Sequence, residues 1–447
     1  MSGTTSSQWA REIAATLKRH GHLALLVGGC VRDILLGRVA SDFDIATDAT
    51  PNRVLSLFPR AQFIGAKFGV VLVPGENPSD PAAVEVATFR SDHAYRDGRR
   101  PESVAYETDP RQDVLRRDFT INALLMDPES GEVIDYVGGR ADLDHGIVRA
   151  IGDPFERFRE DHLRMLRAVR FAARFGFEID PATFDAIRDL HADIKRIAAE
   201  RIRDEIARIL TEGGARRGFE LLDATGLLSD ILPEVAAMKG IPQPPDKHPE
   251  GDVWTHTLML LEDLGSPSIT LALAALFHDV AKPRTLTIGN RIRFPGHAEL
   301  GAKMAVEILT RLHFSNEEIA RVELLVANHM RFLEAPKMRE SALKRFLRLP
   351  GFPELLELHH LDRSNGNGDL STWKFAKSRF EYLPAAELSP PRLLTGSDLI
   401  AAGYRPGPEF SKMLDAAEDA QLESRIHTRD EALALIRSEF GMPPQTC

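Results

Sequence analysis

Cysteine and long apolar runs are the features that this sequence most clearly lacks. Only two cysteines, Cys30 and Cys447, occur among its 447 residues. So few thiols exclude a disulfide scaffold or a cysteine-rich zinc module and favour a reducing compartment. No apolar run approaches the roughly 18 residues of a membrane-spanning helix, and the N-terminal stretch has no signal-peptide core. We therefore expect a soluble, cytoplasmic protein without a membrane partner.

An excess of positive charge is absent as well. The formal net charge is -10, which argues against a chain that coats nucleic acid along its whole surface. The composition, 43% hydrophobic and 27% charged, is that of a globular protein. The length is sufficient for about three domains.

The chain changes character about one third of the way along. The early segments LALLVGG, DFDIAT, FGVVLVPG and AVEVATFR predict short strands of one small sheet, with helices between them. From about Asp153 onward, long helical periodicity replaces this alternation. The Pro-rich stretch 241–252 predicts a linker, and the charged stretch 90–103 predicts a loop. The fold class is therefore predicted to be α+β, a small mixed sheet followed by all-helical parts.

Three acidic residues in the sheet region suggest a metal-dependent reaction. Asp42 and Asp44 flank Phe43, so strand alternation would place both carboxylates on one face. Glu85 alternates with apolar residues on another predicted strand and is expected on the same face. Like charges held this close repel unless a cation or a proton separates them. Two solvated acids at a strand edge are the alternative interpretation.

A strand, a diglycine turn and a helix are predicted just upstream, in LALLVGGCVRDILLG. Gly28 and Gly29 would let the backbone approach a ligand closely, and the amides at the helix start suit a phosphate. A diglycine alone is more often a plain turn. Beside three acids, however, it matches what two-metal nucleotidyl transfer requires.

Five motifs in fixed order now resemble a known family. LVGGCVRDILLG, SDFDIAT, LRRDFTINALLMD, VIDYVGGRADL and EDHLRMLRAVRFAARF lie between about residues 23 and 210. Together they are similar to the class II tRNA nucleotidyltransferases and bacterial poly(A) polymerases, a branch of the polymerase-beta superfamily. The resemblance implies a polymerase-beta-like nucleotidyltransferase head, followed by a helical neck and body.

The resemblance also implies roles for the matched residues. Asp42, Asp44 and Glu85 would be the catalytic acids, with Mg²⁺ held by Asp42 and Asp44. The implied nucleotide-binding set is Gly28, Gly29, Arg32, Asp33, Arg116, Arg117, Asp118, Asn122, Glu160, Asp161, Arg164, Arg167 and Arg170. Asp135, Gly138 and Gly139 match a hinge between head and neck. A helix N-cap is a second interpretation of Asp118.

Within that set, two residues would read the incoming base. The residues that match Asp161 and Arg164 contact it in the family. On one continuous helix, Glu160, Arg164 and Arg167 lie within about 60° of one another, and Asp161 lies about 60° from Arg164. A carboxylate accepts from the exocyclic amino group that cytosine and adenine share, and a guanidinium donates to ring nitrogens and carbonyls. A surface helix stabilised by i,i+4 ion pairs is the alternative.

Histidines and acids also recur in an apolar helical block after residue 250. The candidates are His256, His278, Asp279, His297, His329 and Asp362. Imidazole and carboxylate together suit Mn, Fe, Co, Ni or Zn. The spacing resembles the HD phosphohydrolase superfamily, which implies that these six residues are metal ligands and that the activity is a phosphatase or 2',3'-cyclic phosphodiesterase. Lys282 is a candidate phosphate partner, and a degenerate HD fold retained for its shape is the alternative.

The last segment resembles the tail of the bacterial class II enzymes, where the family binds the elbow of tRNA. The matched residues are Gly396, Asp398, Leu399, Gly403, Pro406, Gly407 and Pro408. From the residues alone it is a capped helical hairpin. The predicted domains are 1–145 (head), 146–240 (neck and body), 250–369 (HD domain) and 370–447 (tail).

Basic side chains on two helical stretches predict a localised track for one structured tRNA, because an RNA backbone responds to local charge. They are Arg157, Arg159, Arg164, Arg167, Arg170 and Arg174, then Lys337, Arg339, Lys344, Arg345 and Arg348. The leading hypothesis is template-independent addition of C, C and A to tRNA from CTP and ATP. The alternatives are a poly(A) polymerase or A-adding enzyme, and an HD phosphohydrolase with an inactive head. Protein partners and oligomeric state stay open.

Overall fold

A computed structural model describes residues 6–40, 42–65, 69–75, 83–95 and 101–443. The chain divides into two compact units, Met1–Ala236 and Ala237–Cys447. Within the described ranges, no helix has both the length and the apolarity needed to cross a membrane. Cys447 lies outside the described residues.

The first unit begins with a mixed sheet. Its early elements are α1 (Ser6–Arg19), β1 (Ala24–Val27), α2 (Gly29–Leu35), β2 (Asp44–Thr47), α3 (Pro51–Leu57), β3 (Gln62–Gly65), β4 (Val70–Pro74) and β5 (Ala83–Thr88). The four predicted strands are found as β1, β2, β4 and β5. β2 and β5 run parallel, whereas β1 pairs antiparallel with β2. Apolar residues of β1 and β2, including Leu25, Val27 and Ala46, are buried in the core of the unit.

A hairpin follows where the sequence predicted a loop. It consists of β6 (Arg90–Tyr95) and β7 (Pro101–Tyr106), paired antiparallel. Residues 96–100 of the predicted loop lie outside the described residues. The loop prediction was therefore wrong for 90–95 and 101–103. It relied on side-chain polarity, whereas the strands pair through backbone groups, which a charged sequence supplies equally well.

Short elements complete the sheet and lead into helices. They are α4 (Pro110–Leu115), a 3-10 helix (Thr120–Asn122), β8 (Leu125–Met126), β9 (Val133–Ile134), α5 (Gly139–His145) and β10 (Ile147–Val148). The described sheet has the strand order β3-β4-β5-β2-β1-β8-β9. A small mixed sheet followed by helices is the fold class expected from the sequence, which is confirmed.

The rest of the first unit is mainly helical. Its elements are α6 (Pro154–Glu160), α7 (Leu163–Phe175), β11 (Glu178–Ile179), α8 (Pro181–Leu190), a 3-10 helix (His191–Arg196), α9 (Ala199–Thr211), α10 (Ala215–Ala224), α11 (Leu227–Ile231) and α12 (Pro233–Ala236). Helix α7 packs against α9 and α10.

The helix predicted through EDHLRMLRAVR is broken at Asp161. This residue is extended, with φ -150° and ψ 104°, and α7 starts only at Leu163. The Asp161 carboxylate accepts from the Leu163 amide and forms two hydrogen bonds with Arg201. A short acidic side chain that bonds to a nearby backbone amide competes with helix formation. The predicted angles between Asp161 and the α7 residues, which assumed one helix, therefore do not apply.

The second unit is helical except for one small hairpin. Its first elements are α13 (Val253–Asp263), α14 (Ile269–Phe277), α15 (Lys282–Thr285), β12 (Thr287–Ile288), β13 (Ile292–Arg293), α16 (His297–Arg311) and α17 (Asn316–Asn328). Helix α14 is the central element, since its residues from Leu271 to Phe277 are all buried. It packs against α13, α17 and α19 (Phe352–Asn365).

The remaining helices include the tail. They are two 3-10 helices (His329–Leu333 and Ala335–Lys337), α18 (Glu340–Leu347), α20 (Ser371–Tyr382), α21 (Ala385–Leu388), α22 (Gly396–Ala401), α23 (Glu409–Leu422) and α24 (Arg429–Phe440). Thr395 and Asp398 form a capping box at α22, and Thr428 and Glu431 form another at α24. Leu399 is fully buried in the core of this segment. Helices α23 and α24 pack together, so the expected capped hairpin is present.

The Pro-rich stretch 241–252 is not a simple linker. Pro242 bridges Asp252, and the Val253 amide donates to the Ile241 carbonyl, so the stretch folds back onto the start of α13. Gln243 is only 4% exposed. Pro and Gly indicated correctly that no helix forms here. These two residue types do not indicate which side-chain contacts hold the stretch against the helices.

The hinge motif is a tight turn at the start of α5. The Asp135 carboxylate accepts from the amides of Val137, Gly138, Gly139 and Arg140. Gly138 has φ 80°, a conformation that favours glycine. A Cβ on Gly139 would lie 2.1 Å from the Thr120 carbonyl oxygen, so the turn is packed directly onto the 3-10 helix.

We expect Gly139→Ala to destabilise the first unit by about 1–3 kcal/mol, because backbone must shift to admit the methyl group. Urea unfolding followed by circular dichroism measures this. Gly265→Ala is the matched control, since a Cβ there meets nothing within 4 Å among the described residues. Equal unfolding midpoints for the two variants would contradict the packing described for Gly139.

Candidate active sites in the two units

The diglycine turn lies against an acid and an arginine. Gly28 has φ 78° and connects β1 to α2, as the sequence predicted. A Cβ at Gly28 would lie 3.5 Å from Arg117 Nη1 and 3.9 Å from Asp44 Oδ2. The backbone here passes close to both charged groups, and the left-handed φ, more than lack of space, favours glycine at this position.

The three predicted acids are close neighbours. Asp44 is level with Glu85 on the parallel pair β2 and β5, so both side chains lie on the same face. Asp42 lies just before β2 and not on it, while Phe43 is 8% exposed and belongs to the core. Burial and the charge of Glu85, with a smaller effect of Asp42, raise the pKa of Asp44 to about 6 against the opposing effect of Arg117.

This donor set fits a divalent cation. Carboxylate oxygens are the ligands that Mg²⁺ prefers. The pKa of Asp44 is raised first by burial and second by the charge of Glu85, and Arg117 offsets these effects only in part. A cation bound among the three acids would remove that repulsion.

One acid that supports the site was not found from the sequence. Asp113, only 1% exposed, accepts from Arg116 and from Arg117. Burial alone would raise the pKa of Asp113, but the guanidinium groups of Arg117 and Arg116 lower it. The indication available in the sequence was the spacing in DVLRR, which places Arg116 at i+3 and Arg117 at i+4 from Asp113, where ion pairs form on a helix. Asp113 thus fixes Arg117, whose other nitrogen faces Gly28.

Asp118 joins the nucleotide turn to α7 through a chain of hydrogen bonds. Its carboxylate accepts from Asn122 and Arg167, and Asn122 in turn accepts from Arg32 at 2.6 Å. Arg32 also donates to Asp33. Burial opposes ionisation, but the Arg167 ion pair lowers the pKa of Asp118 to about 2. The structure thus brings five predicted nucleotide-binding residues together.

The alternative N-cap interpretation of Asp118 is wrong. The 3-10 helix begins at Thr120, with Phe119 in the cap position and no side-chain cap. Asp118 instead accepts from the Phe119 amide, immediately next to it in sequence. The segment is too short for a capped helix because the chain enters β8 at Leu125.

The predicted base-reading residues have separate partners. Arg164 donates to Glu160 at 2.6 Å and to the Arg116 carbonyl at 3.4 Å. Asp161 is paired with Arg201, with oxygen–nitrogen distances of 2.6 and 3.2 Å. Sequence reasoning missed Arg201 because it lies 40 residues further on, in α9. The base-reading role stays a prediction.

Most of the basic residues in the neck are ion-paired, which corrects the predicted charge track. Arg170, 3% exposed, pairs with Glu205 at 2.7 Å and Glu212 at 3.2 Å. Arg174 shares Glu212. Arg157 pairs with Glu160. Glu205 on α9 and Glu212 at its end thus compensate much of the positive charge in this stretch.

The second basic stripe packs against the tail. Arg345 lies 3.0 Å from Glu418 and 3.1 Å from Asp419, and Arg348 also pairs with Glu418. Lys344 donates to the Leu422 carbonyl. Acids of α23 therefore already pair with part of this stripe, whereas Arg339 stays 66% exposed beside Asp419. The RNA track along the stripe stays a prediction.

The six predicted HD residues come together in the second unit. One group comprises His256, His278 and Asp362, and another comprises Asp279, His297 and His329. Within each group the candidate ligand atoms lie within 4.8 Å of one another. His278 and Asp279 are adjacent in sequence and 3.1 Å apart, so they link the two groups. The arrangement can hold metal ions.

The hydrogen bonding of three histidines tests that fit. Nδ1 of His278, His297 and His329 each contacts a backbone carbonyl oxygen, at 2.8, 2.9 and 2.7 Å. A carbonyl only accepts, so the proton resides on Nδ1 and the lone pair on Nε2. These three Nε2 atoms are buried and have no hydrogen-bond partner among the described residues. Unpaired buried nitrogens of this kind suit metal coordination.

The local electrostatics agree with neutral imidazole at one position. Burial, together with the charges of His278 and His297, lowers the pKa of His329 to about 3. Burial also disfavours protonation of His256, but hydrogen bonds with Asp362 and Glu250 raise its pKa to about 9. Despite its burial, the pKa of Asp362 is held far below its usual range by His256.

A cavity of about 500 Å³ opens beside these residues. Asp279, His297, His329 and Asp362 are among the residues that line it. Lys282, the predicted phosphate partner, also lines it but donates to Gln243 and Asp279, both at 2.6 Å. Its charge is therefore already shared with a buried carboxylate.

Two further residues of the cluster were missed. His248 and Glu250 form a third group with His256. Both lie in the stretch taken for a linker, so no helical pattern marked them. Their spacing in HPEGDVWTH was the only signal.

Sequence profiles of known families match along both units. The profile of the poly A polymerase head domain matches residues 24–149. That described as "Probable RNA and SrmB- binding site of polymerase A" matches 176–239, and that of the HD domain matches 251–364. The fold and the acidic site therefore define a polymerase-type nucleotidyltransferase head joined to an HD domain.

Individual relatives narrow this class. A CC-adding tRNA nucleotidyltransferase of Thermus thermophilus is 34% identical over 428 residues, covering 92% of this chain and 93% of the relative. The chain belongs to the tRNA nucleotidyltransferase family. A CCA-adding enzyme of Bacillus pumilus is 44% identical over 220 residues, covering 49% of this chain and 54% of the relative. The chain thus matches only about half the length of such relatives.

Solved structures agree with this assignment. A crystal structure of the Bacillus stearothermophilus CCA-adding enzyme in complex with CTP has a TM-score of 0.73 and 28% identity, covering 97% of this chain and 98% of that one. A Thermotoga maritima CCA-adding enzyme shares the fold, with a TM-score of 0.59 and 18% identity over 97% of this chain and 95% of that one.

The raised pKa of Asp44 predicts a dependence of stability on pH. Well below pH 4 the carboxyl is protonated in both the folded and the unfolded state, and between about pH 4 and pH 6 it ionises mainly in the unfolded state. As the pH rises through the folded value of about 6, the folded state must also ionise and then carries the full cost of the buried charge and of its repulsion by Glu85. We expect Asp44→Asn to stabilise the metal-free protein by up to about 3 kcal/mol at pH 8, since the pKa shift is about two units and one unit corresponds to about 1.4 kcal/mol.

Urea unfolding in EDTA at pH 8 and at pH 4 measures this, with nearly equal stabilities expected at pH 4. Added Mg²⁺ should stabilise the wild type more than the variant. A less stable Asp44→Asn protein at pH 8 would contradict the repulsion described for this site.

Proposed function

We propose that this chain adds C, C and A to the 3' ends of tRNA without a template, using CTP and ATP. The observation that carries the proposal is the group Asp42, Asp44 and Glu85 beside the Gly28–Gly29 turn. Membership of the tRNA nucleotidyltransferase family supports it, as does the CTP complex of the Bacillus stearothermophilus enzyme. Action on tRNA also agrees with the cytoplasmic location expected from the sequence.

The proposed reaction is attack of the terminal 3'-hydroxyl on the α-phosphate. Asp42 and Asp44 would hold Mg²⁺, which supplies a lowered hydroxyl pKa and shields the charge of the triphosphate. Gly28 and Gly29 leave room for that triphosphate at the start of α2. Arg117, fixed by Asp113, contributes a positive charge at the same place. Pyrophosphate leaves as the new phosphodiester forms.

Base selection is proposed to rest on Asp161 and Arg164. A carboxylate has about four lone-pair positions, so Asp161 retains acceptor capacity beside its two bonds to Arg201. An exocyclic amino group of cytosine or adenine can use that capacity. Arg164 has a fixed orientation because Glu160 and the Arg116 carbonyl hold it.

A second candidate is CC addition without the final A. It is favoured by one observation, the name of the Thermus thermophilus relative that aligns over 92% of this chain. Poly(A) polymerase and A-only addition remain alternatives because they share the head motifs. An HD phosphohydrolase with an inactive head is disfavoured by the intact acidic group.

The products on tRNA distinguish these functions. With tRNA that ends before CCA, we expect CTP alone to give two additions and CTP with ATP to give three. Two additions in both mixtures would identify a CC-adding enzyme, and long A tracts a poly(A) polymerase. Asp42→Ala should lower transfer at least 1,000-fold while circular dichroism is unchanged, because the metal ligand is lost. Full transfer by this variant would refute the assignment.

We also propose that the HD domain is a metal-dependent phosphatase or 2',3'-cyclic phosphodiesterase. The metal is expected to be Mn, Ni, Co, Fe or Zn. The proposal is supported by the buried Nε2 atoms of His278, His297 and His329, which have no hydrogen bond among the described residues, and by the position of His297 and His329 in the cavity lining. The predicted domains 1–145, 146–240, 250–369 and 370–447 would then carry transfer, base and RNA binding, hydrolysis and tRNA binding.

His278→Ala tests whether the two activities are separate. We expect loss of hydrolysis of a 2',3'-cyclic nucleotide, because one metal ligand is removed, and unchanged nucleotide transfer to tRNA. Both are measured on the same preparation, with added Mn²⁺, Ni²⁺ or Co²⁺. Retention of hydrolysis by the variant would rule out the HD assignment.

A further inference from the structure

The four histidines of the HD cluster are not held in the same way. His278, His297 and His329 each place Nδ1 against the backbone carbonyl oxygen of the residue three positions earlier. Nδ1 of His256 instead lies 2.6 Å from Glu250 Oε1. A side-chain carboxylate thus stands where the other three histidines use a backbone acceptor.

Glu250 is in a position to act on His256 and on little else. Its side chain is 6% exposed, and the same oxygen, Oε1, accepts from Nδ1 of His248 at 2.9 Å. His256 is fully buried, and its other nitrogen, Nε2, faces Asp362 Oδ1 at 3.1 Å. The imidazole therefore lies between an outer carboxylate, Glu250, and an inner one, Asp362.

The distances separate a metal contact from a supporting contact. Two ligand atoms about 2.1 Å from one cation lie about 3.0–3.4 Å apart at octahedral or tetrahedral angles. The pair His256 Nε2 and Asp362 Oδ1, at 3.1 Å, matches this spacing. The pair His256 Nδ1 and Glu250 Oε1, at 2.6 Å, is too close for a shared cation and is a close ion pair, although it does not have hydrogen-bond geometry.

We infer that Glu250 is the positioning residue of His256, holding the ring with Nδ1 outward so that Nε2 faces the metal beside Asp362 and His278. The inference rests on the metal-dependent HD site proposed above. A carboxylate behind a metal-bound histidine fixes the orientation of the ring and increases the basicity of the coordinating nitrogen. The stretch 241–252 then supplies part of the metal site.

Cobalt binding by the full-length, metal-free chain tests this inference. Co²⁺ is titrated by calorimetry, and its visible absorption reports the ligand geometry, a readout that a merely structural residue would not change. Glu250→Gln keeps an acceptor oxygen but no charge, whereas Glu250→Ala removes both. We expect Co²⁺ affinity to fall about 10- to 100-fold in Glu250→Ala and less in Glu250→Gln, with an altered absorption band in both.

The matched control is Glu262→Gln, an exposed carboxylate on the same helix as His256, which should bind Co²⁺ like the wild type. His256→Ala should lose one ion. Nucleotide transfer to tRNA and thermal unfolding without metal, measured for each variant, identify any variant that fails to fold. Because Glu250→Gln is isosteric, it keeps the test valid where Glu250→Ala unfolds.

Three outcomes would overturn the inference in distinguishable ways. A wild type that binds no Co²⁺ removes the proposed metal site together with it. Wild-type affinity and absorption in both Glu250 variants remove the positioning role alone. Loss of one whole ion in both His248→Ala and Glu250→Ala, with the other ions bound as before, would make Glu250 a direct ligand of a separate site.

Discussion

The parallel pairing of β2 with β5 is the constraint on which the head depends. It sets Asp44 level with Glu85, so a strand pairing made by backbone groups creates a concentration of negative charge. A positively charged side chain lies next to this negative charge. Arg117 faces Gly28 beside Asp44, and Asp113 fixes Arg117 from the other side. Asp113 thus holds Arg117, and Arg117 lies near Asp44. The repulsion between Asp44 and Glu85 remains, and a bound cation would relieve it.

The second unit buries several histidines, whose ring nitrogens also need partners. Buried imidazole nitrogens are costly unless each has a partner. One nitrogen of His278, His297 and His329 is satisfied by the backbone, which leaves the other to face the cluster. Nearby backbone carbonyls therefore orient three candidate ligands without a second side chain. His256 alone depends on a side chain from outside its helix, and so on the fold of the stretch that precedes α13.

Local patterns predicted what depends on local geometry. Strand alternation identified β2 and β5 and placed Glu85 on the face of Asp44, and residue types identified the HD histidines. Contacts between distant segments were not predictable in this way. The acids of α23 that pair with α18 are about 70 residues away from it. Arg201, which pairs with Asp161, and the contacts of Glu250 belong to the same class. The break at Asp161 was missed for a different reason, since the apolar periodicity continues through it.

The pairing of α18 with α23 has a consequence for ionic strength. Lysines and arginines that meet a nucleic acid release the counterions condensed on its phosphates, and the number released sets how steeply affinity falls with salt. Arg345 and Arg348 have already exchanged solvent and small ions for the carboxylates of α23. An RNA backbone along this helix would compete with those carboxylates for the two guanidinium groups, so each would release fewer counterions than an arginine without an acidic partner.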